Sequence, residues 1–170
     1  MCDSFGFDSI NSGSAPAAQN IYGSYFDTTI QQALVINTPY AMLLDTVDVQ
    51  NGVQLIAGSQ IKVFNTGVYN LQFSAQLFRT GGGNPAAIDI WIRKNGITNV
   101  PHSNTKVDIQ SNSVFLVAAW NWFVSLNAGE FVEIMWSVTD NRIQLQSAPE
   151  NLIIPHPAIP SLITTINKVS

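Results

Sequence analysis

The sequence predicts an all-β domain, either a sandwich or a barrel. From Ile21 onward the chain is rich in Val, Ile, Thr and aromatic residues, which favour strands. Gly, Asn and Pro interrupt these apolar stretches at short intervals, and no segment has a convincing helical repeat. Many short strands in a single chain of 170 residues are typical of a sandwich or barrel.

Turn signals set the limits of the predicted strands. Asn51-Gly52 and Asn95-Gly96 predict hairpins, because a type I′ turn needs positive φ at two consecutive residues and Asn-Gly tolerates this conformation. Residues 80–85 contain three consecutive glycines and a proline and predict a loop. The predicted strands are residues 21–26, 33–36, 40–45, 53–56, 60–64, 67–79, 86–94, 103–109, 113–125, 130–138, 141–146 and 161–168.

Alternation along the strands indicates which faces are buried. In residues 86–93 isoleucines alternate with Asp89, Trp91 and Arg93, as in a strand with one wet side. This strand is therefore predicted to lie in an outer sheet.

Residues 113–125 differ because both faces of the predicted strand are apolar. One face contains Phe115, Val117, Ala119 and Phe123, and the other contains Leu116, Ala118, Trp120, Trp122 and Val124. A sheet in a two-layer sandwich has only one inner face, so the second apolar face is an exposed patch or a subunit interface. The monomeric alternative is a central strand covered by loops.

Three segments resemble motifs of the tumour-necrosis-factor and complement-globular-head superfamily. Gly67 to Ser74 resembles the strand of that family that starts with Gly-x-Tyr, and Trp91 to Gly96 resembles its strand ending in Lys-Asn-Gly. Leu126 to Ile134 is similar to its Leu-x-x-Gly-Asp/Glu-x-Val turn into the next strand. The three motifs occur in the family's order, and the resemblance covers roughly residues 22–169.

The resemblance implies a ten-stranded jelly-roll sandwich that forms a tight homotrimer with apolar side chains around the three-fold axis. It divides the chain into an N-terminal arm, residues 1–20, and a jelly-roll trimerisation domain, residues 21–170. The interface residues expected from strand parity and from the family's habit are Tyr69, Phe73, Leu116, Trp120, Trp122 and Ile163. Residues 157–166 depart from the family's usual closing strand and are similar to jelly rolls of bacteriophages and other large DNA viruses.

Composition excludes several partners. Only 11% of the residues are charged, against roughly 25% in ordinary soluble domains. The net charge is −4 and the seven basic residues are scattered, so no basic stripe is present to neutralise phosphates, and nucleic acid is not an expected partner. No apolar run approaches the roughly 18 residues of a membrane span. The sequence lacks the pattern of a secretory signal, and Cys2 is a single cysteine, so we expect synthesis in a host cytoplasm.

Catalytic chemistry is not expected. His102 and His156 lie between turn residues, and neither has an acid and a nucleophile at a recognisable spacing. Asp45 with Asp48, and Asp140 beside Asn141, are the nearest candidates for calcium, but they lack the alternating acidic ladder of a dedicated loop and fit solvated turns. We therefore expect neither an enzyme nor a metal or other cofactor.

Two viral functions remain. The leading expectation is a capsid decoration or cement protein on the exterior of a phage particle, with Phe5, Phe7 and Ile10 anchoring its arm to the major capsid protein or another virion protein. The alternative is a fibre-tip or head-spike module that binds a host glycan or receptor, with Thr80, Asn84, His102 and Asn104 in its candidate ligand loops. A cellular signalling or adhesion ligand would need an export route that the sequence does not show.

Overall fold

A computed structural model describes residues 20–110 and 115–170, which form two antiparallel sheets. Their fourteen strands are β1 (Tyr22–Asp27), β2 (Gln31–Gln32), β3 (Tyr40–Ala41), β4 (Thr46–Asn51), β5 (Val53–Ile56), β6 (Gln60–Val63), β7 (Gly67–Arg79), β8 (Ala86–Lys94), β9 (Thr98–Asn99), β10 (Thr105–Ile109), β11 (Phe115–Leu126), β12 (Phe131–Val138), β13 (Ile143–Leu145) and β14 (Leu162–Lys168).

The strand order is that of a two-layer sandwich. Sheet 1 runs β11-β7-β14-β1-β4, and β13 and then β2 extend it beside the far end of β7. Sheet 2 runs β10-β8-β12-β6-β5, with β9 beside β8 and β3 beside β12. The expected all-β jelly-roll sandwich is thus confirmed.

The core lies between the two sheets and follows from strict alternation. In β7 the side chains from Tyr69 to Leu77 are buried at every second position. In β8 the three isoleucines are fully buried, while Asp89, Trp91 and Arg93 point outward and are partly exposed. The expectation that β8 has one wet side is therefore confirmed.

One predicted hairpin is confirmed and the other is wrong. Asn95 and Gly96 have φ of 52° and 71° and join β8 to β9, as a type I′ turn requires. At Asn51-Gly52, by contrast, the chain passes from sheet 1 to sheet 2, because β4 pairs with β1 and β5 pairs with β6. Gly52 has φ of 69°, and a Cβ there would lie 2.9 Å from Cγ1 of Ile21, so the corner needs glycine for both reasons.

The predicted strand at residues 33–36 is also wrong. The strand is the short β2 before it, and Leu34, Val35 and Ile36 lie in an exposed turn that ends at Asn37, whose φ is 54°. The sequence analysis missed β4, which is an edge strand with five exposed residues and therefore lacks a buried face to give it a pattern.

A long excursion separates β13 from β14, both of which pair with the same edge of β7. Two isolated bridges, Ala148 with Ile159 and Asn151 with His156, close it into a hairpin. At its tip Leu152, Ile153 and Ile154 are 83%, 93% and 70% exposed.

Candidate functional site

The outward side of β11, β7, β14 and β1 in sheet 1 is a broad surface without a charged side chain. It consists of alternate residues of four neighbouring strands in register. We call it the uncharged face: Phe115, Val117, Ala119, Asn121, Phe123 and Ser125 of β11; Asn70, Gln72, Ser74, Gln76 and Phe78 of β7; Ile163, Thr165 and Asn167 of β14; and Tyr22, Ser24 and Phe26 of β1. Cores of protein interfaces are depleted of charge, so this surface favours contact with another protein surface.

Strand β11 carries the most exposed apolar part of the uncharged face. Phe115, Val117 and Phe123 are 62%, 59% and 66% exposed. Among the strands that the structure describes, β11 pairs only with β7, so its other edge is open. An open edge beside a row of exposed apolar side chains is a surface that natural proteins normally cover.

Amide side chains cross the uncharged face from strand to strand. Nδ2 of Asn121 donates to Oδ1 of Asn70 at 2.9 Å, and Nδ2 of Asn70 donates to Oδ1 of Asn167 at 3.5 Å. These contacts pair some of the amide groups within the chain, so a partner that buries this row has fewer hydrogen bonds to replace.

The inward side of β11 carries an aromatic cluster. The ring of Phe73 lies 4.6 Å from that of Trp120 in an edge-on contact and is stacked at 5.1 Å on that of Trp122. Nε1 of Trp122 donates to the carbonyl oxygen of Ser103 at 2.9 Å. Nε1 of Trp120 is buried and has no hydrogen-bond partner among the described residues.

The six predicted interface residues fall into two groups. Tyr69 and Phe73 are buried in the core of the single chain, and Leu116, Trp120 and Trp122 are half-buried against that core. Ile163 lies on the uncharged face and is 41% exposed. In the single chain the other apolar row of β11, with Phe115, Val117 and Phe123, is therefore the exposed one, and the six interface residues stay a prediction.

Thr80 and Asn84, two of the predicted ligand residues, lie in the loop before β8 above a cluster of charges. The fully buried Arg79 contacts Oδ2 of Asp140 at 2.7 Å and donates to the carbonyl of Asn84 at 2.8 Å. Oδ2 of Asp140 also receives a hydrogen bond from Arg142 at 2.6 Å. Hydrogen bonds from Arg142, and then from Arg79, hold the pKa of Asp140 well below its usual range.

The other two predicted ligand residues lie elsewhere. His102 and Asn104 line a cavity of about 290 Å³ beside the middle of β8, together with Trp91 and Asn99. Ala86, where β8 begins after the first loop, is five residues from Trp91, a distance of roughly 16 Å along an extended strand. The four ligand residues therefore belong to two separate places, and the aromatic wall of the second was not foreseen.

Three further expectations concern the anchor residues, a metal site and a membrane span. The anchor residues Phe5, Phe7 and Ile10 lie outside the described residues. Among residues 20–110 and 115–170, no group of three or more His, Cys, Asp or Glu side chains is placed to hold a metal ion. The same part of the chain contains no helix long and apolar enough to cross a membrane.

Comparison with solved structures identifies the fold. A crystal structure of murine APRIL at pH 8.0 superposes with a TM-score of 0.55 at 12% sequence identity, covering 89% of this chain and 100% of that chain. The globular domain of zebrafish complement 1qA gives a TM-score of 0.53 at 13% identity over 89% of this chain and 98% of that chain. The fold is the jelly roll of tumour necrosis factor and complement 1q. Eiger TNF from S. frugiperda is similar too, with a TM-score of 0.55 at 11% identity over 89% of this chain and 93% of that chain.

The resemblance inferred from the motifs is therefore confirmed at the level of fold. No protein-family model and no curated protein matches the sequence. Similarity at identities of 11–13% shows the fold alone, because one fold can serve many functions.

Proposed function

We propose that this protein is a non-enzymatic structural protein of a virus particle, a homotrimer that decorates and cements the exterior of a phage capsid. The observation that carries this proposal is the uncharged face, with its exposed Phe115, Val117 and Phe123. The fold supports a trimer because the superfamily motifs imply one. The viral setting rests on the low charge of the chain and on the phage-like ending at residues 157–166.

The geometry of β11 fits a ring of three copies. In a cyclic trimer each chain presents two different patches, one to each neighbour. The open edge of β11 in one copy can then pack against the uncharged face of the next. Burying a large apolar side chain contributes about 1.5–3 kcal/mol, and three such side chains per chain offset a substantial part of the cost of association, about 4–15 kcal/mol.

The aromatic cluster also favours the open edge of β11 as the place where two copies make contact. A buried indole N–H without an acceptor costs about 1–3 kcal/mol. Trp120 lies on the edge strand β11, and in the proposed trimer an acceptor from a second copy pairs with its Nε1. Leu116, Trp120 and Trp122 would then join the interface through their exposed parts, with Tyr69 and Phe73 supporting them from the core.

The N-terminal arm is the part of the chain that we propose binds the virus particle. Residues 1–20 contain the spaced apolar residues Phe5, Phe7 and Ile10 among small polar ones. In the proposed role they bind the major capsid protein or another virion protein, while the jelly-roll domain remains outside. The action is mechanical: each trimer ties neighbouring shell subunits together.

The first test is the mass of the purified chain by light scattering after size exclusion. Three chains of 18.5 kDa give about 55 kDa. A species that stays at 18.5 kDa over the accessible concentration range contradicts the trimer.

The second test measures binding to particles that lack this protein. Deleting residues 1–20 is expected to abolish binding while leaving the trimer mass, less the arm, intact. A matched control replaces Phe5, Phe7 and Ile10 with Ser in the full-length chain, which separates the apolar anchors from arm length. Undiminished binding of the deleted chain would show that the arm is not the anchor.

A second candidate function is host recognition at a fibre tip or head spike. The cavity beside Trp91 favours it, because a small cavity on a rigid sandwich is a usual place for a ligand. Copy number separates the two roles: we expect hundreds of copies per particle for a cement protein and a few or a few dozen for a tip. Quantitative mass spectrometry of purified particles supplies that count.

A further inference from the structure

The cavity beside Trp91 lies on the outward side of sheet 2, away from the uncharged face of sheet 1. Trp91 points outward from β8 and is partly exposed, so its indole forms an aromatic wall. The segment that connects β9 to β10 forms the opposite wall. The cavity has a volume of about 290 Å³, close to the lower end of the range for small-molecule sites.

The cavity lining offers both hydrogen-bond donors and hydrogen-bond acceptors. Nε1 of Trp91 donates to Oδ1 of Asn99 at 2.9 Å, which orients the indole and leaves the Nδ2 group of Asn99 as a donor. Nδ2 of Asn104 donates to Oδ1 of Asp89 at 3.0 Å, which leaves Oδ1 of Asn104 as an acceptor. His102 adds an exposed imidazole, and none of the residues that line the cavity is Asp, Glu, Lys or Arg.

The wall formed by residues 99–104 is fixed in place before any ligand arrives. The buried Ser103 accepts a hydrogen bond from the amide of Ile92 at 3.2 Å and donates one to the carbonyl of Val100 at 2.8 Å. Its own carbonyl accepts the indole N–H of Trp122 at 2.9 Å. A wall held to two neighbouring strands loses little conformational freedom on binding, which lowers the cost of forming a complex.

His102 is held in an unusual conformation on this wall. Its φ is 61°, in the left-handed region that non-glycine residues avoid at a cost of roughly 1 kcal/mol or more. Strain of this kind persists where the surroundings impose it, and it is concentrated at binding sites. Here Ser103, the next residue, is hydrogen-bonded within the same turn, and His102 lines the cavity.

From these features we infer that the cavity binds a neutral pyranose sugar, the ring unit of a surface glycan. The indole of Trp91 packs against the C–H face of the ring, as aromatic surfaces do with flat apolar groups. Asn99 donates to sugar hydroxyls, Asn104 accepts from them, and His102 pairs with a hydroxyl at the rim. An anionic ligand is disfavoured because neither Lys nor Arg lines the cavity.

This inference names the ligand class of the host-recognition candidate and rests on that candidate for its biological role. The binding itself needs neither a trimer nor a particle. It can therefore fail while the assembly proposal holds, and the assembly proposal can fail while the sugar binds.

The experiment titrates the full-length protein with neutral sugars and follows the indole N–H signal of Trp91 by NMR. The probes are glucose, galactose and N-acetylglucosamine, with the methyl α and methyl β glycosides of the first two and a neutral bacterial polysaccharide. N-acetylneuraminic acid is the anionic comparison. We expect a saturable shift with a Kd on the order of millimolar for at least one neutral probe, since a single ring makes few contacts. Binding of a free sugar or a methyl glycoside indicates a site for a chain end, and binding of the polysaccharide alone indicates a site for an internal unit.

Saturation-transfer NMR on the ligand tests the variants, because it needs no signal from Trp91. Trp91→Ala is expected to weaken binding at least about tenfold, and His102→Ala and Asn104→Ala about three- to tenfold each. His156→Ala and Asn65→Ala replace the same residue types at exposed positions elsewhere and are expected to bind like the unmodified chain. Thermal unfolding checks that each variant is folded, and the two milder variants keep the test valid if Trp91→Ala is not.

Three results would overturn the inference. The first is that no neutral probe gives a saturable shift at concentrations up to about 100 mM. The second is binding that the Trp91, His102 and Asn104 variants leave unchanged. The third is tighter binding of N-acetylneuraminic acid than of every neutral sugar, which would indicate an anion site.

Discussion

Arg79 occupies the last inward position of β7, where the alternation of the strand would place another apolar residue. It is fully buried, yet its guanidinium contacts Asp140 and the carbonyl of Asn84, while its Nε lacks a partner among the described residues. A cation in such a place is stable only while its carboxylate remains. The glycine-rich loop over it closes the end of the sandwich.

Replacing Asp140 with Asn should therefore leave a buried cation without its counter-charge. We expect Asp140→Asn to lower the free energy of unfolding by about 3 kcal/mol, since breaking one side of a buried pair has large effects. The exposed Asp48→Asn is the control and should change stability by less than about 0.5 kcal/mol. Urea unfolding measures both, and equal losses in the two variants would mean that the Arg79 pair contributes nothing special.

The same carboxylate makes stability depend on acid. The folded-state pKa of Asp140 is lowered, chiefly by the hydrogen bond from Arg142, so its contribution is present above the unfolded pKa of about 3.9 and is lost as pH falls below that value. We expect the stability gap between the unmodified chain and Asp140→Asn to be constant near neutrality and to shrink below about pH 4. Unfolding curves at stepped pH measure it, and a gap that widens in acid would reverse the sign of the argument.

At the level of elements, β11 shows how far sequence alone can reach. Its period of two separates the residues into two apolar sets without saying which set faces the core. The register decides: Phe73 of β7 lies opposite Trp120, so both belong to the inward face. That register depends on the connection between β7 and β11 and on sheet 2 beneath, and neither is readable from the pattern of one strand.

Other elements follow the same rule. Strands β7 and β8 match their predicted bounds because each has one buried face and strong turn signals at its ends. Strand β4 was missed because an exposed edge strand has no buried face to leave a pattern. The cavity beside Trp91 was half predicted, since polar residues in a loop suggest a site but the neighbouring indole comes from a different strand.

Polar substitutions on the uncharged face should prevent the chains from associating without unfolding the domain. We expect the double variant Val117→Thr with Phe123→Ser to shift the purified chain from the trimer mass to 18.5 kDa at micromolar concentration, because both side chains are exposed in the single chain. The control is Ile97→Ser. Ile97 is 86% exposed and lies outside this face, in the turn between β8 and β9. Light scattering gives the masses and circular dichroism gives the fold; a double variant that keeps the trimer mass would place the interface elsewhere.

For the whole molecule, a scarcity of charge determines how assembly should respond to solvent. An interface built on the uncharged face has no ion pairs to screen, so we expect its dissociation constant to change less than about threefold between 50 and 500 mM NaCl. Cooling should weaken it, because apolar association loses strength at low temperature. Sedimentation across salt and temperature measures both trends, and a strong loss of mass in high salt would point to a polar interface.

The position of β14 in sheet 1 limits how much of the sheet can form while the chain is being synthesised. Tyr22 near one end of the sheet-forming sequence pairs with Asn167 near the other, and β14 fills the gap between β1 and β7. A ribosome makes the chain from the N-terminal side at about 5–20 residues per second. Until residue 168 has emerged, β1 and β7 lack the strand that joins them, so sheet 1 is completed only after β14 has been made.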